Sequence, residues 1–186
     1  YTAAVFLPLI GSFIAGILTF AGGFANEETK KKIDRGSQLA TVGAMLLAAV
    51  AATFAFIDIV VHANTGNVEL FTWVSSGTLE FSWALRGDTL ALVMLLMVTW
   101  ISSMIHIYSI GYMSHDKSIP RFMAYLSLFT FFMLMLVTSN NLVQLFFGWE
   151  GVGLASYLLI GFWYEKQSAC AAAIKAFVVN RVGDFG

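Results

Sequence analysis

Long apolar runs, separated by short polar stretches, dominate this chain of 186 residues. Most runs reach the roughly 20 residues that a helix needs to cross a hydrocarbon core about 30 Å thick. The pattern therefore predicts an all-α polytopic membrane protein: a helix bundle with about six transmembrane helices, the last of them cut by the end of the chain. The predicted segments are 2–24, 36–63, 88–112, 119–138, 141–164 and a sixth that begins near Ser168.

Polar residues mark where several of these helices begin. Asp88 precedes the third run and is a preferred N-cap residue. Pro120 falls in the first turn of the fourth segment, where its missing N–H costs nothing. Residues 138–141 read Thr-Ser-Asn-Asn and leave room only for a tight turn. The fourth and fifth helices are therefore expected to be antiparallel neighbours.

The segment between the second and third helices has a different period. Residues 68–86 contain two runs that alternate with a period of two around Ser75-Ser76-Gly77, which predicts a β-hairpin. Trp73 and Trp83 are expected near the membrane interface. The hairpin either covers the helices of its own chain or contacts a neighbouring subunit, and the pattern favours neither.

Composition excludes several classes of protein. The chain is 59% hydrophobic and 11% charged, with a mean hydropathy of +0.79 and a net charge of -1. No basic patch with interleaved aromatic residues is present, which argues against a nucleic-acid partner. A single cysteine, Cys170, excludes an internal disulfide framework. No CxxC set, haem or metal histidine pair, or glycine-rich phosphate loop occurs, so no cofactor is expected in this chain.

Basic residues indicate how the chain is oriented. The odd-numbered loops contain seven lysines and arginines, whereas the even-numbered loops contain only Arg86. The positive-inside rule puts the odd loops on the cytoplasmic-type face and the N-terminus on the opposite face. The odd-loop residues are Lys30, Lys31, Lys32, Arg35, Lys117, Arg121 and Lys166.

Glu150 is the most unusual residue of the fifth segment. It lies about 14 Å into that helix at 1.5 Å per residue, which is near the membrane midplane. Ionisable groups at this depth are costly and commonly belong to ion or proton pathways. The alternatives are a carboxyl group kept neutral or a purely structural pair. Small neighbours such as Gly148, Gly151 and Gly153 allow close helix packing or leave room for water.

The sixth segment contains three charged residues. Lys175 and Arg181 both lie within about one helical turn of the depth of Glu150. Depth in the membrane therefore does not decide which of the two pairs with Glu150. Arg181 and Asp184 are three residues apart and share a face. Either a lysine holds the glutamate ionised and drives proton exchange, or the charges form static salt bridges.

Three further polar residues, His106, Asp58 and His62, lie within the predicted membrane segments. His106, in the third segment, is either a proton relay or a hydrogen-bonded packing residue. Asp58 and His62 are four residues apart and are expected to form a pair near the outer end of the second helix. The fourth helix, rich in Met and Phe, is expected to be packing material.

Two long motifs resemble a known family. Residues 111–163 contain "NNLVQLFFGWEGVGLASYLLIGFW", and residues 172–186 read "AAIKAFVVNRVGDFG". Both are similar to the large antiporter-like subunit of respiratory complex I, the NADH–quinone oxidoreductase. Related Mrp-type sodium/proton antiporter subunits share the Trp-Glu core of the fifth helix but differ around it.

The resemblance implies a proton-translocating membrane subunit, coupled to quinone reduction elsewhere in the enzyme. The essential glutamate of the family corresponds to Glu150, and its helix-six lysine, arginine and aspartate correspond to Lys175, Arg181 and Asp184. The main lysine partner of the glutamate lies on a later, broken helix, beyond these 186 residues. NADH, FMN, iron–sulfur clusters and quinone are implied in partner subunits only.

The resemblance also implies an arrangement and a location. Residues 1–112 would be the N-terminal helices with the outer hairpin, and 113–186 would begin the first antiporter-like repeat. The hairpin would contact the adjacent antiporter-like subunit, within a bacterial plasma membrane or a mitochondrial inner membrane. Two alternative functions remain: a cation/proton antiporter without redox partners, and a scaffold whose buried charges only hold the membrane arm together.

Overall fold

Six helices and one hairpin make up the part of the chain that the computed structural model describes, which is residues 1–62, 66–77 and 79–185. The elements are α1 (Thr2–Gly22), α2 (Glu27–His62), β1 (Val68–Ser76), β2 (Leu79–Leu85), α3 (Thr89–Tyr112), α4 (Ile119–Val137), α5 (Leu142–Ile160) and α6 (Gln167–Phe185). The predicted helical fold with a hairpin between the second and third helices is confirmed.

Five of these helices, α1 to α5, are long and apolar enough to cross a membrane. Helix α6 has 19 residues and the same length as α5, but it contains Lys175, Arg181 and Asp184 and is less apolar. The difference matters because a helix with three charges needs polar partners wherever it lies in lipid.

Three predicted helix ends are confirmed. The Asp88 carboxylate accepts a hydrogen bond of 2.8 Å from the Ala91 N–H and caps α3. Pro120 lies in the first turn of α4. The Asn141 side chain caps α5 by accepting a 2.8 Å hydrogen bond from the Gln144 N–H. Helices α4 and α5 pack against each other, as the tight turn requires.

The structure corrects the predicted start of the second helix. Helix α2 begins at Glu27 rather than near residue 36, so the four basic residues from Lys30 to Arg35 lie on helix. Glu27 and Glu28 in the first turn favour an earlier start, because carboxylates stabilise helix N-termini. Lys32 also pairs with Glu28 at 2.9 Å, one turn apart. The predicted end of this segment at residue 63 lies outside the described residues.

The extra length of α2 leaves the charge asymmetry intact. Its 36 residues span about 54 Å, more than the hydrocarbon core, so the basic first turns extend beyond it. They lie at the same end of the bundle as the loops after α3 and α5. We call this end, with Lys30, Lys31, Lys32, Lys117 and Lys166, the basic end, and the opposite end the outer end.

Helices α1 to α4 form the central bundle. Helix α1 packs against α2 and α4, and α3 packs against α2 and α4. The main apolar cluster fills the space between them and includes Val5, Leu92, Leu95 and Leu134. Helix α5 is attached to this bundle through α4, and α6 is attached mainly through α5. The second half of the chain is therefore built outward from α4.

The hairpin lies on the outer end and is fastened to the turn between α4 and α5. The Arg86 N–H donates to the Thr138 carbonyl at 2.8 Å, and Leu85 forms a β-bridge with Ser139. Two amide side chains add further bonds. Asn141 Nδ2 donates to the Ser82 carbonyl at 2.8 Å, and Gln144 Oε1 accepts from the Ala84 N–H at 3.2 Å.

Aromatic rings strengthen the same attachment. The Trp83 ring lies 4.9 Å from the ring of Phe147 on α5 and 4.9 Å from that of Trp73. Phe71 stacks on Trp83 at 5.8 Å. Of the two arrangements that the sequence left open, the structure shows the hairpin covering helices of its own chain. Phe71 and Trp73 remain 54% and 42% exposed, so a contact with another subunit stays a prediction.

We expect Asn141→Ala to loosen both the start of α5 and the hairpin. The substitution removes an N-cap, which costs about 1 kcal/mol, together with the bond to Ser82. Hydrogen exchange of the full-length protein should show faster exchange in β2 and in the first turn of α5. Asn140→Ala is the matched control, because Asn140 is exposed and its side chain has no hydrogen bond to any residue in 1–62, 66–77 and 79–185. Equal exchange in the two variants would contradict the role of the Asn141 side chain in holding β2 and the start of α5.

Candidate functional site

The closeness of α4 and α5 sets the direction in which Glu150 points. A Cβ atom on Gly148 would lie 2.7 Å from the Leu136 backbone nitrogen, and one on Gly151 would overlap the Phe132 ring. These glycines therefore define the face of α5 that contacts α4. Glu150 is two residues after Gly148, about 200° around the helix, and so points away from α4.

On that opposite face, Glu150 forms an ion pair with Arg181 of α6. The contact joins Glu150 Oε2 and Arg181 Nη1. Gly153, one turn further along α5, leaves space for the guanidinium, because a Cβ there would lie 3.6 Å from Arg181 Nη2. Glu150 lies about 12 Å from the outer end of α5, well inside the hydrocarbon region.

Arg181 also reaches a second carboxylate. Its Nη1 lies 3.8 Å from Asp184 Oδ2, and the indole N–H of Trp149 donates to Asp184 Oδ1 at 2.5 Å. The guanidinium carbon lies 4.6 Å from the centre of the Phe177 ring, within the range of a cation–π contact. We call Glu150, Arg181, Asp184 and Trp149 the charged cluster.

The charged cluster has one more negative than positive charge. Arg181 keeps its proton under all ordinary conditions, so only the two carboxylates can exchange one. The exposed fractions of the three charged side chains are 24% for Glu150, 33% for Arg181 and 11% for Asp184. A cavity of about 390 Å³ lined by Trp149 and Asp184 lies beside the cluster. The arrangement can hold a proton and is open on one side.

Lys175 is not part of this cluster. It lies six residues before Arg181, which is about 9 Å along α6 and 240° around it. The residue is exposed, and within residues 1–62, 66–77 and 79–185 it has no ion pair. Between the two basic candidates that the sequence left open, the structure pairs Glu150 with Arg181.

His106 lies in a separate polar system between α3 and α4. The side chain is fully buried, and its Nδ1 lies 2.8 Å from the Ser102 carbonyl, which can only accept a hydrogen bond. Nδ1 therefore holds the proton of the neutral ring, and Nε2 accepts from Ser127 Oγ at 3.0 Å. Ser102 Oγ contacts Thr130 Oγ1 at 2.6 Å, which extends the chain of polar groups along α4.

The charged cluster and the histidine system do not meet. His106 lies about 9 Å from the end of α3 at the basic end, whereas Glu150 lies nearer the outer end. Helix α4 lies between α3 and α5. The structure thus joins Glu150, Arg181 and Asp184, and leaves Lys175 and His106 apart from them. The predicted pair of Asp58 with His62 involves a side chain outside the described part.

Sequence reasoning missed three participants. Trp149 binds Asp184, although only its place next to the glutamate was noted. Ser127 and Thr130 of α4 bind the histidine system, although that helix was interpreted as packing material. Two small hydroxyl residues three apart within the apolar run of α4 were the available signal, because such spacing puts them on one face.

Gly148→Ala is expected to separate α4 from α5. The added methyl group would collide with the backbone of Leu136, which cannot move aside as a side-chain tip can. Overpacking of this kind costs about 1–3 kcal/mol. The thermal midpoint of the purified full-length protein should fall, whereas Gly153→Ala on the same helix should leave it nearly unchanged, because its new contacts are of ordinary length. A midpoint equal to that of Gly153→Ala would refute the close contact.

Two known sequence families match this chain. Residues 73–123 match the family described as the N-terminus of chain 5 of NADH-ubiquinone oxidoreductase (complex I). Residues 139–186 match the transmembrane family of NADH:quinone oxidoreductase and Mrp antiporters. The second match contains the whole charged cluster.

Curated relatives agree with these matches. The chain is 50% identical over its full length to NADH-ubiquinone oxidoreductase chain 5 of Arabidopsis thaliana. It is 49% identical over its full length to NADH-quinone oxidoreductase subunit L of Rhodobacter capsulatus, and 48% identical over 97% of its length to subunit L of Rickettsia conorii. The chain spans about a quarter of the length of these relatives, covering 26%, 25% and 26% of them.

These matches extend over both halves of the chain and agree with the helical fold and its apolar spans. The expected membrane location is confirmed, and the chain is part of an integral membrane protein. By these matches and its similarity to the named relatives, the chain belongs to the antiporter-like family of NADH–quinone oxidoreductase chain 5 and subunit L.

Proposed function

We propose that this chain is part of a membrane subunit that translocates protons through a network of buried glutamate and lysine residues. The driving reaction is oxidation of NADH and reduction of quinone in other subunits, which hold FMN and iron–sulfur clusters. The names of the relatives support this proposal, since they are subunits of NADH–quinone oxidoreductase. The observation that carries it is the mid-membrane carboxylate of Glu150, which shares one guanidinium with Asp184.

The shared guanidinium gives the cluster two states. In one, Arg181 neutralises Glu150, which stays ionised. In the other, Arg181 turns toward Asp184, now 3.8 Å away, and Glu150 loses its cation. A carboxylate that loses its partner in a poorly solvated site takes up a proton. Movement of one side chain between two acceptors therefore loads and unloads Glu150.

Lys175 and His106 have supporting roles in this proposal. Lys175 lies on the side of α6 that faces away from Glu150, so it continues the path beyond α6 rather than pairing with the glutamate directly. His106 relays a proton along the hydroxyl groups of Ser127, Ser102 and Thr130. The ring takes up a proton at Nε2 from Ser127 Oγ and releases its Nδ1 proton to Ser102 Oγ, which lies 3.4 Å away.

The proposed partners are other membrane-arm subunits and the lipid bilayer. The exposed rings of Phe71 and Trp73 on the hairpin are the surface that we assign to the adjacent antiporter-like subunit. Aromatic residues are enriched at the centres of protein interfaces, which supports that assignment.

Two other functions have specific support. The direct contact of Glu150 with Arg181 favours a scaffold in which the charges only hold α5 against α6. The match to a family that includes Mrp antiporters favours cation/proton exchange without redox chemistry. A sodium-dependent pH change in vesicles without NADH-linked activity would support the antiporter.

Glu150→Gln is expected to stop proton transfer and spare assembly. The amide keeps the size of the side chain and its hydrogen bond to Arg181, but it cannot exchange a proton. Proton translocation in proteoliposomes of the assembled enzyme should fall about tenfold or more, in line with the loss of a proton-transfer group. The control is Glu165→Gln in the exposed loop before α6. Full pumping by an assembled Glu150→Gln enzyme would reject the proposal.

Arg181→Met separates proton transfer from a scaffold. Alone, it leaves two carboxylates without a cation, and we expect poor assembly, because a charge at membrane depth that loses its partner is strongly destabilising. Adding Glu150→Gln removes one of those charges and should restore assembly, measured as intact enzyme on native gels. Pumping should remain absent in the double variant. Recovery of both assembly and pumping would show that the charges serve only as a scaffold.

A further inference from the structure

A cavity of about 350 Å³ lies where the basic ends of α4, α5 and α6 meet. This volume is in the range of pockets that bind small molecules or parts of larger ones. Arg121, in the first turn of α4, lines it together with Tyr125, Tyr157 and Tyr164. Ala173 and Ile174 of α6 form an apolar wall. The cavity is remote from the charged cluster, since Arg121 and Glu150 lie on different levels of the bundle.

The guanidinium of Arg121 is held in place by neighbours that carry no charge. Its Nη2 donates to the Phe162 carbonyl at 3.1 Å. Its central carbon lies 4.7 Å from the centre of the Phe162 ring and 5.0 Å from that of the Tyr164 ring. Such ring contacts orient a guanidinium without neutralising it.

No carboxylate within residues 1–62, 66–77 and 79–185 pairs with Arg121. Asp116 is engaged elsewhere, since its oxygens accept from the Ser118 N–H at 2.8 Å and the Trp163 indole at 3.0 Å. The Nε of Arg121 is buried and has no hydrogen-bond partner in the same residues. A buried donor without a partner is costly, which indicates an acceptor still to be supplied.

The surroundings specify the chemistry of that acceptor. A fixed guanidinium that lines a cavity and has no carboxylate partner among the described residues fits the oxygens of a phosphate group. The apolar wall of Ala173 and Ile174, with Ile174 57% exposed, is suited to hydrocarbon rather than to a free ion. Tyrosine rings at the end of membrane helices mark the level of the lipid headgroups.

We propose that this cavity binds the phosphate headgroup of an anionic phospholipid. Arg121 binds the phosphate, the hydroxyl groups of Tyr125 and Tyr157 donate to its remaining oxygens, and one acyl chain runs along Ile174. Basic pockets between helices on the cytoplasmic-type side are a recurring site for such headgroups. The lipid links α4 to α6, which have no extensive direct contact in the described part of the chain. This assignment is independent of the proton-transfer proposal.

Native mass spectrometry of the purified, assembled enzyme tests the site. Arg121→Gln should retain one anionic phospholipid fewer than the unmodified enzyme. In nanodiscs, the variant should bind phosphatidylglycerol about tenfold or more weakly, with no change for phosphatidylcholine. Lys117→Gln is the matched control. It removes a positive charge at the same end of the bundle from a residue that does not line this cavity.

Three results would overturn the proposal. One is equal lipid retention by Arg121→Gln and the control. A second is release of the lipid by millimolar inorganic phosphate, which would identify a site for a soluble anion. If Arg121→Gln fails to assemble, Arg121→Lys and Tyr125→Phe replace it in the experiment, and each should weaken phosphatidylglycerol binding. The third contrary result is unchanged phosphatidylglycerol binding by both of these variants.

Discussion

The Glu150 carboxylate lies about 12 Å inside α5, where water is scarce and an unpaired charge is expensive. Much of the second half of the chain follows from that constraint. Glycines at 148 and 151 let α5 press against α4 and turn the glutamate to the other side. Arg181 then meets it from α6, and Trp149 binds the second carboxylate. Helix α6 is too charged to be a simple lipid-facing span, and these polar contacts join it to α5 beside the ring contact of Tyr157 with Phe177.

Two polar systems with different chemistry lie on the two sides of α4. On the α3 side, hydroxyl groups and one neutral histidine bond to one another and to backbone carbonyls, and no charged side chain among the described residues joins them. On the α5 side, three formal charges are balanced only in part, and Arg181 Nε has no partner among the described residues. A fully satisfied network favours rigidity, whereas a partly satisfied one can be rearranged at little cost. That contrast supports the proposal that the charge-changing step occurs at the α5–α6 contact, while the α3 side only passes a proton along its hydrogen bonds.

The fold was largely predictable because apolar run length, turn residues and caps are local properties. Asp88, Pro120 and the turn at 138–141 mark helix ends through their own backbone chemistry. The start of α2 was missed because lysine and glutamate favour helix as readily as exposed loop. The partner of Glu150 was not predictable from sequence. Depth along a helix can be estimated to about one turn, but an ion pair also depends on how α5 and α6 are each rotated about their own axes. Trp149 and Ser127 were missed for the same reason, because their roles depend on which helices become neighbours.

The hairpin also gives the site a mechanical property. β2 is bonded to Gln144 and Asn141, and Trp83 packs on Phe147, which lies one helical turn before Glu150. A hydrogen-bonded helix transmits displacement along its axis with little loss over a single turn. A partner that displaced the outer surface of the hairpin would therefore also displace α5, and with it the Glu150 carboxylate relative to Arg181.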